Sequence, residues 1–303
     1  MTINMTGHRT DLALEAAKNI FSAPHFSEKI PGVSMKERLS HGYRVTDVAI
    51  SSPEAACKIG KPQGDYITVD LQPYFRREQD FFHRGAACLS QELRTLLPGT
   101  GEEFSVLVVG LGNRSMTPDA IGPLTLEHLL VTRHMVRTLP RQFSSFTPVS
   151  AMATDVLGRT GMDASEVIRG AVAQVRPAAV IAIDALAARD KDRLCATVQF
   201  SNTGLIPGSG VGNHRRAVTA ESLGVPVIAA GVPTVIDAHT LCGDLLEEAG
   251  KGDFDVGHRG EDLFVTPRDI DQRVRELSRL LGYAINMALQ PDLTEDDITG
   301  LLG

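Results

Sequence analysis

Tryptophan is absent from the 303 residues, and cysteine occurs four times, at Cys57, Cys88, Cys195 and Cys242, never as C-x-x-C. Scattered this way the cysteines carry no paired-thiol motif, and they read as buried free thiols in a reducing compartment. No apolar run reaches the roughly 18 residues that a membrane-spanning helix needs. The opening MTINMTGHRTDLALE lacks the charged-then-apolar order of a signal peptide, so a cytoplasmic protein with no membrane partner is expected. Basic residues are in deficit: 30 Lys and Arg against 37 Asp and Glu give a formal net charge of −7. Without a positive field, nucleic acid is excluded as the main partner, whereas a basic protein substrate is not. The nine histidines form no H-E-x-x-H. No glycine-rich loop ends in the Gly-Lys-Ser/Thr of a phosphate-binding P-loop.

What is present is enough apolar content, 43%, to fill one large core or two ordinary ones. Residues 1–9 are polar and patternless, a flexible arm. Leu12–Phe21 has the spacing of a short amphipathic helix that Thr10 or Asp11 can cap. Tyr43–Ile50 and Tyr66–Leu71 read as strands joined through the GKPQGD turn, and Phe82–Leu97 as a helix. From Ser105 the rhythm changes. SVLVVGL, AAVIAI (Ala178–Ile183) and VPVIAA (Val225–Ala230) are short continuous apolar runs suited to strands buried on both faces. Val149–Thr154 is a weaker strand, and Cys195–Phe200 alternates like a strand near an edge. Helices are expected at Pro123–Met135, Ala164–Val175, Ile236–Ala249 and Arg268–Leu289. This alternation predicts an α/β fold with an open, mostly parallel sheet flanked by helices. We expect a single domain over 12–303, its part 12–104 packing on or extending the core sheet.

Chemistry concentrates at the ends of the apolar runs. In VVGLGNRSMTPDAIGP (Val108–Pro123), Gly110-Leu111-Gly112 suggests a dinucleotide fingerprint, but Ser115 stands where the third glycine belongs. Glycines making a tight turn explain the loop better. Asp119 lies near a helix start, where it either caps the helix or does chemistry. Asp184 ends the run IAID, where it either caps a helix, pairs with Arg189, or joins a site. Ligands of open α/β sheets bind beyond the carboxyl ends of the strands, so two acids at two such ends can converge. One then holds a proton while the other activates water. Gly208, Gly210 and Gly212 in PGSGVGNHRR permit a backbone nest for an anion or a peptide carbonyl. Ser209 has no ordered Ser-His-Asp pattern around it, and Pro207 stands where a nucleophile elbow needs glycine. His214 follows on the same loop. With Asp119 and Asp184 it offers a minority metal reading. The spacing of Asp237, His239 and Cys242 does not suit three ligands on one helix face.

VVGLGNRSMTPDAIGP, LLVTRH, IAIDALAAR, SGVGN and GVPTVIDA, in this order, resemble the spore germination protease family. The likeness extends from RTDLALEA near the start to LFVTPRDID near the end. It implies an endopeptidase, made as a zymogen, that degrades small acid-soluble spore proteins in the spore core and assembles as a homotetramer. It implies catalysis by Asp119 and Asp184 with no cofactor and no metal. Asn113 and the Gly208–Gly212 nest, with Ser209 and His214, are then candidates for positioning the peptide or polarising its carbonyl. The family cuts after an acidic residue in a Thr-Glu-apolar-Ala context, which Thr10-Asp11-Leu12-Ala13 resembles. Residues 1–11 are therefore expected to be a propeptide, cut between Asp11 and Leu12. The fold is also similar to that of hydrogenase maturation endopeptidases, which read a bound nickel. That leaves a metal-dependent maturation peptidase, or a degenerate peptide-binding module, as alternatives. The segment from Leu241 to Asp262 is short where the family often carries an insertion.

Overall fold

The continuous apolar runs become the interior of one sheet. The computed structural model describes residues 10–21, 30–99, 104–208, 216–250, 260 and 263–303. Its strands are β1 (Val33–Ser40), β2 (Tyr43–Ile50), β3 (Gly64–Asp70), β4 (Val106–Leu111), β5 (Val149–Asp155), β6 (Ala179–Ala188), β7 (Thr197–Ser201), β8 (Val227–Asp237) and β9 (Phe264–Val265). They form a single sheet in the order β1-β2-β3-β7-β8-β6-β4-β5, with β9 paired to β8. The α/β class holds, with helices on the sheet. The parallel pairs are confined to β5-β4-β6-β8, and the N-terminal strands extend this core antiparallel through β7. Connection length explains the split. β1 and β2 are joined by His41-Gly42 alone, both at positive φ, a two-residue hairpin that allows only antiparallel pairing.

Strand alternation sorts the core into two faces. Val106, Val108, Ile181, Ile183, Phe200 and Ala230 pack with the helices Phe81–Leu96 and Ile270–Leu289. Leu107, Val109, Val180 and Ala182 pack with Ile168 and Val172 of the helix Ala164–Val175 on the other face. Asp163 opens that helix with a capping box closed by Glu166. On this second face, towards β2 and β3, lies a separate patch: Ala13, Leu14 and Ala17 of the helix Ala13–Phe21 against Val48, Ile50 and Tyr66. The second face is thus covered in two places, with a space between them.

Several expected elements differ. A helix, Pro53–Ile59, interrupts the link from β2 to β3; Ser52 caps it, accepting from the Ala55 N–H, and Gly60 ends it at φ 72°. Pro123–Met135 is not one helix. It divides into Ile121–Thr125, a 3-10 turn at Leu126–His128 and Arg133–Thr138. Asn286, 1% exposed, causes the break: its Oδ1 accepts from Leu130 N at 2.9 Å and its Nδ2 donates to His128 O at 2.8 Å. The Thr132 N–H meanwhile goes to Val149 O. Backbone groups that a continuous helix would pair internally are satisfied by tertiary partners instead. The strand near Cys195–Phe200 is central rather than near an edge, since β7 lies between β3 and β8. Of the four thiols, Cys88 and Cys195 are buried but Cys57 and Cys242 are exposed. Residues 1–9 and most of Lys251–Asp262 lie outside the described residues. Among the described residues no helix is long and apolar enough to cross a membrane.

Because Asn286 satisfies two buried main-chain groups, Asn286→Ala should lower unfolding free energy by about 2–3 kcal/mol. Urea denaturation read by circular dichroism, with m unchanged, would verify this.

Candidate active site

Asp184 does not end its strand. It sits within β6, which runs on to Ala188, and it pairs across to Gly231 of β8. Its neighbour Ile183 belongs to the first face, so Asp184 points to the second, 6% exposed. Its own Oδ1 accepts from the Ala185 N–H at 2.9 Å. The continuing strand removes the helix-cap reading, and Arg189 gives its guanidinium to Asp244 at 3.0 Å.

Asp119 arrives from the next strand. β4 ends at Leu111, Gly112 turns at φ +106°, and the chain returns through the 3-10 turn Thr117–Asp119. A Cβ on Gly112 would lie 2.1 Å from Asp119 O, so glycine is required for this close return. Asp119 does not cap the following helix, Ile121–Thr125, whose N-cap is Ala120. Its Oδ2 instead accepts from the Asn113 N–H at 2.8 Å. The turn is braced from outside: Thr234 donates to Pro118 O at 2.6 Å, and Thr117 donates to Asp271 Oδ1 at 2.7 Å.

Asp119 and Asp184 line one cleft of about 470 Å³, together with Asp11, Asp155, Leu186, Gly208 and Thr234. The two acids thus line the same cleft, Asp119 from the turn after β4 and Asp184 from within β6. Asp184, Asp11, Leu186 and Gly208 also line a second, contiguous cavity of about 330 Å³, which Lys61, Tyr66, Gln199 and Gly231 complete. Both open on the second face, between its two covered patches. Asn113 serves through its backbone. Its side-chain oxygen accepts from Ser115 N at 2.9 Å and from Arg159, holding the loop rather than aiming at a ligand. Ser209, Gly210, Gly212 and His214 lie outside the described residues, so of the proposed nest only Gly208 is seen at the site.

The segment Thr10–Ala13 is seated here. Asp11 N donates to Ala187 O, and Ala187 N donates to Asp11 Oδ2, both at 2.9 Å. Lys61 Nζ donates to Thr10 O at 2.9 Å. Gln199 Nε2 donates to Asp11 O at 3.3 Å, and its Oε1 accepts from Ala13 N at 2.8 Å. Leu12 is fully buried. Glu15 anchors the segment from behind, accepting from Thr10, Arg189 N and Asp190 N. Burial pushes its carboxyl above the usual range, against the pull of these donors and of Arg193. Burial likewise draws the Lys61 ammonium below its ordinary value, opposed by Asp11 and Glu15.

A family model described as germination protease matches residues 10–250. A germination protease of Caldanaerobacter subterraneus is 40% identical, over 99% of this chain and 99% of that one. One from Clostridium perfringens is 38% identical over 97% and 98%, and one from Bacillus cereus 39% identical over 96% and 76%. Among solved structures, the NiFe hydrogenase maturation protease HycI from Thermococcus kodakarensis shares 16% identity, at a TM-score of 0.36 over 64% of this chain and 98% of that one.

Gln199, Lys61 and Asp155 are site residues that sequence reading passed over. Gln199 sits in an apolar run and Lys61 in a polar turn, and neither carries a motif. Asp155, at positive φ, ends β5 as Asp119 follows β4, and an acid closing a strand was the available signal. If Lys61 holds the segment, Lys61→Met should speed hydrogen exchange at the Leu12 and Ala13 amides by about 10- to 100-fold, since a bond to a charged donor contributes roughly 1.5–3 kcal/mol. Exchange followed by mass spectrometry is the measurement.

Proposed function

We propose, from the premise that this chain belongs to the germination protease family, that it is an endopeptidase whose attacking water is activated by Asp119 and Asp184. The observation that carries the reading is the shared cleft: both carboxylates and the Asp11 end of a seated peptide line the same space. Two acids facing one water cannot both stay ionised cheaply, so one holds a proton. The ionised partner takes a proton from water. The oxygen attacks the scissile carbonyl carbon, giving a tetrahedral intermediate. When the C–N bond breaks, a proton passes to the departing nitrogen. The products are a new carboxylate and a new amine, and the acid pair is restored.

The seated segment supports a zymogen reading. Thr10-Asp11-Leu12-Ala13 has the acid-then-apolar-then-Ala order expected of the substrates, and the Asp11 carboxylate is read by the Ala187 N–H. Cleavage between Asp11 and Leu12 would remove residues 1–11 and vacate the site for small acid-soluble spore proteins during germination in the spore core. Assembly as a homotetramer belongs to the same proposal.

Full-length protein should lose residues 1–11 on incubation and then cut a peptide containing Thr-Glu-Leu-Ala after the glutamate. Asp119→Asn and Asp184→Asn should each retain residues 1–11 and cut at least about 1,000-fold more slowly. Intact mass and peptide chromatography check both. A variant that folds and cuts at the wild-type rate would remove its aspartate from the mechanism.

A further inference from the structure

The Gln199 side chain spans the peptide whose Asp11 end lines the cleft of the two aspartates. Its Nε2 is on the carbonyl of Asp11, and its Oε1 is on the N–H of Ala13. These two groups flank Leu12, in the way a parallel strand neighbour pairs with residues either side of its partner. If the bond cut is Asp11–Leu12, the carbonyl that Gln199 touches is the scissile one.

Register places this carboxamide opposite Asp184. Gln199 pairs with Gly231 across β7 and β8, and Asp184 pairs with Gly231 across β6 and β8. Val198, Phe200, Ala230 and Ile183, the residues beside them in sequence, belong to the first-face core. Gln199, Gly231 and Asp184 therefore form a row on the second face. Neighbouring strands lie about 4.8 Å apart, so the two side chains rise roughly 10 Å from each other, a gap that takes one extended peptide. Gly231 between them keeps the row low: a Cβ there would lie 2.3 Å from Leu186 Cδ1, displacing a wall of both cavities.

From this geometry we infer that Gln199 is a catalytic residue, the hydrogen-bond donor that polarises the scissile carbonyl and stabilises the oxyanion formed when water adds from the Asp119–Asp184 side. The inference rests on the peptidase reading above and adds to it a group that meets the oxyanion. Gln199 is 7% exposed, so its amide has little water to turn to and is held ready before reaction. At 3.3 Å the bond is long for a ground-state carbonyl. A donor placed for the oxyanion is expected to tighten only as negative charge develops. The acceptor end fixes the rotamer, because the Ala13 N–H dictates which way the carboxamide faces.

The rival role, holding the helix Ala13–Phe21 alone, predicts different behaviour, and Gln199→Glu separates the two. It keeps an acceptor for Ala13 and removes the neutral N–H donor. In the full chain at pH 8, loss of residues 1–11 should slow by at least about 100-fold, the cost of one oxyanion donor, while hydrogen-exchange protection of the Ala13 amide persists. Wild-type processing by the variant would overturn the inference, and so would slow processing with protection of Ala13 lost. Gln199→Met, of similar shape with neither strong donor nor acceptor, is the second variant should the first fail to fold, and it should also slow processing by at least about 100-fold. Its melting temperature is measured beside the wild type, and wild-type processing by it would equally overturn the inference. Wild type and Asp184→Asn are run in parallel. A wild type that never loses residues 1–11 would sink the autoprocessing part of the peptidase reading itself, whereas active wild type, inactive Asp184→Asn and fully active Gln199 variants would sink only the role of Gln199.

Discussion

The site depends on one close backbone approach. The short helix Ile121–Thr125 lies directly on the end of β4 and the middle of β6, and Gly122 makes this packing possible. A Cβ on it would fall 2.3 Å from Leu111 O and 2.7 Å from Ile183 O. The residue before Asp184 and the last residue of β4 thus touch the same glycine. Through this contact the turn carrying Asp119 is held against the strand carrying Asp184. Even one methyl group would separate the two carriers, and displacements near 1 Å are enough to cost catalysis heavily.

Around that contact the protein solves a charge problem. Asp11, Asp119, Asp155 and Asp184 all line one cleft. Burying carboxylates is costly unless they find donors. Backbone N–H groups meet much of the need: Asn113 for Asp119, Ala185 for Asp184, Ala187 for Asp11 and Val156 for Asp155. Backbone donors are fixed by the fold and need no counter-charge. The seated N-terminal segment takes one of these donors, the Ala187 N–H, for its own Asp11.

Much of this was legible before any coordinates. Continuous apolar runs marked β4, β6 and the start of β8, and the acids beside two of them marked Asp119 and Asp184. Ala164–Val175 was readable because spacing and cap agree. Local patterns could not show that β6 continues past Asp184, since its later residues are held by Asp11 and β8. Nor could they show the break before Arg133, which Asn286 imposes from more than 150 residues away. The sheet direction was only half readable, because the order of strands depends on which edges meet.

The sequence by itself determined the class of fold and the family, and singled out two acids that line one cleft, because burial pattern and motif are properties of neighbours along the chain. Tertiary structure alone decided that Gln199, Gly231 and Asp184 form one row, and that Thr10–Ala13 lies across it. Their alignment is set by strand register, and register is a relation between segments far apart in the chain that no local pattern encodes.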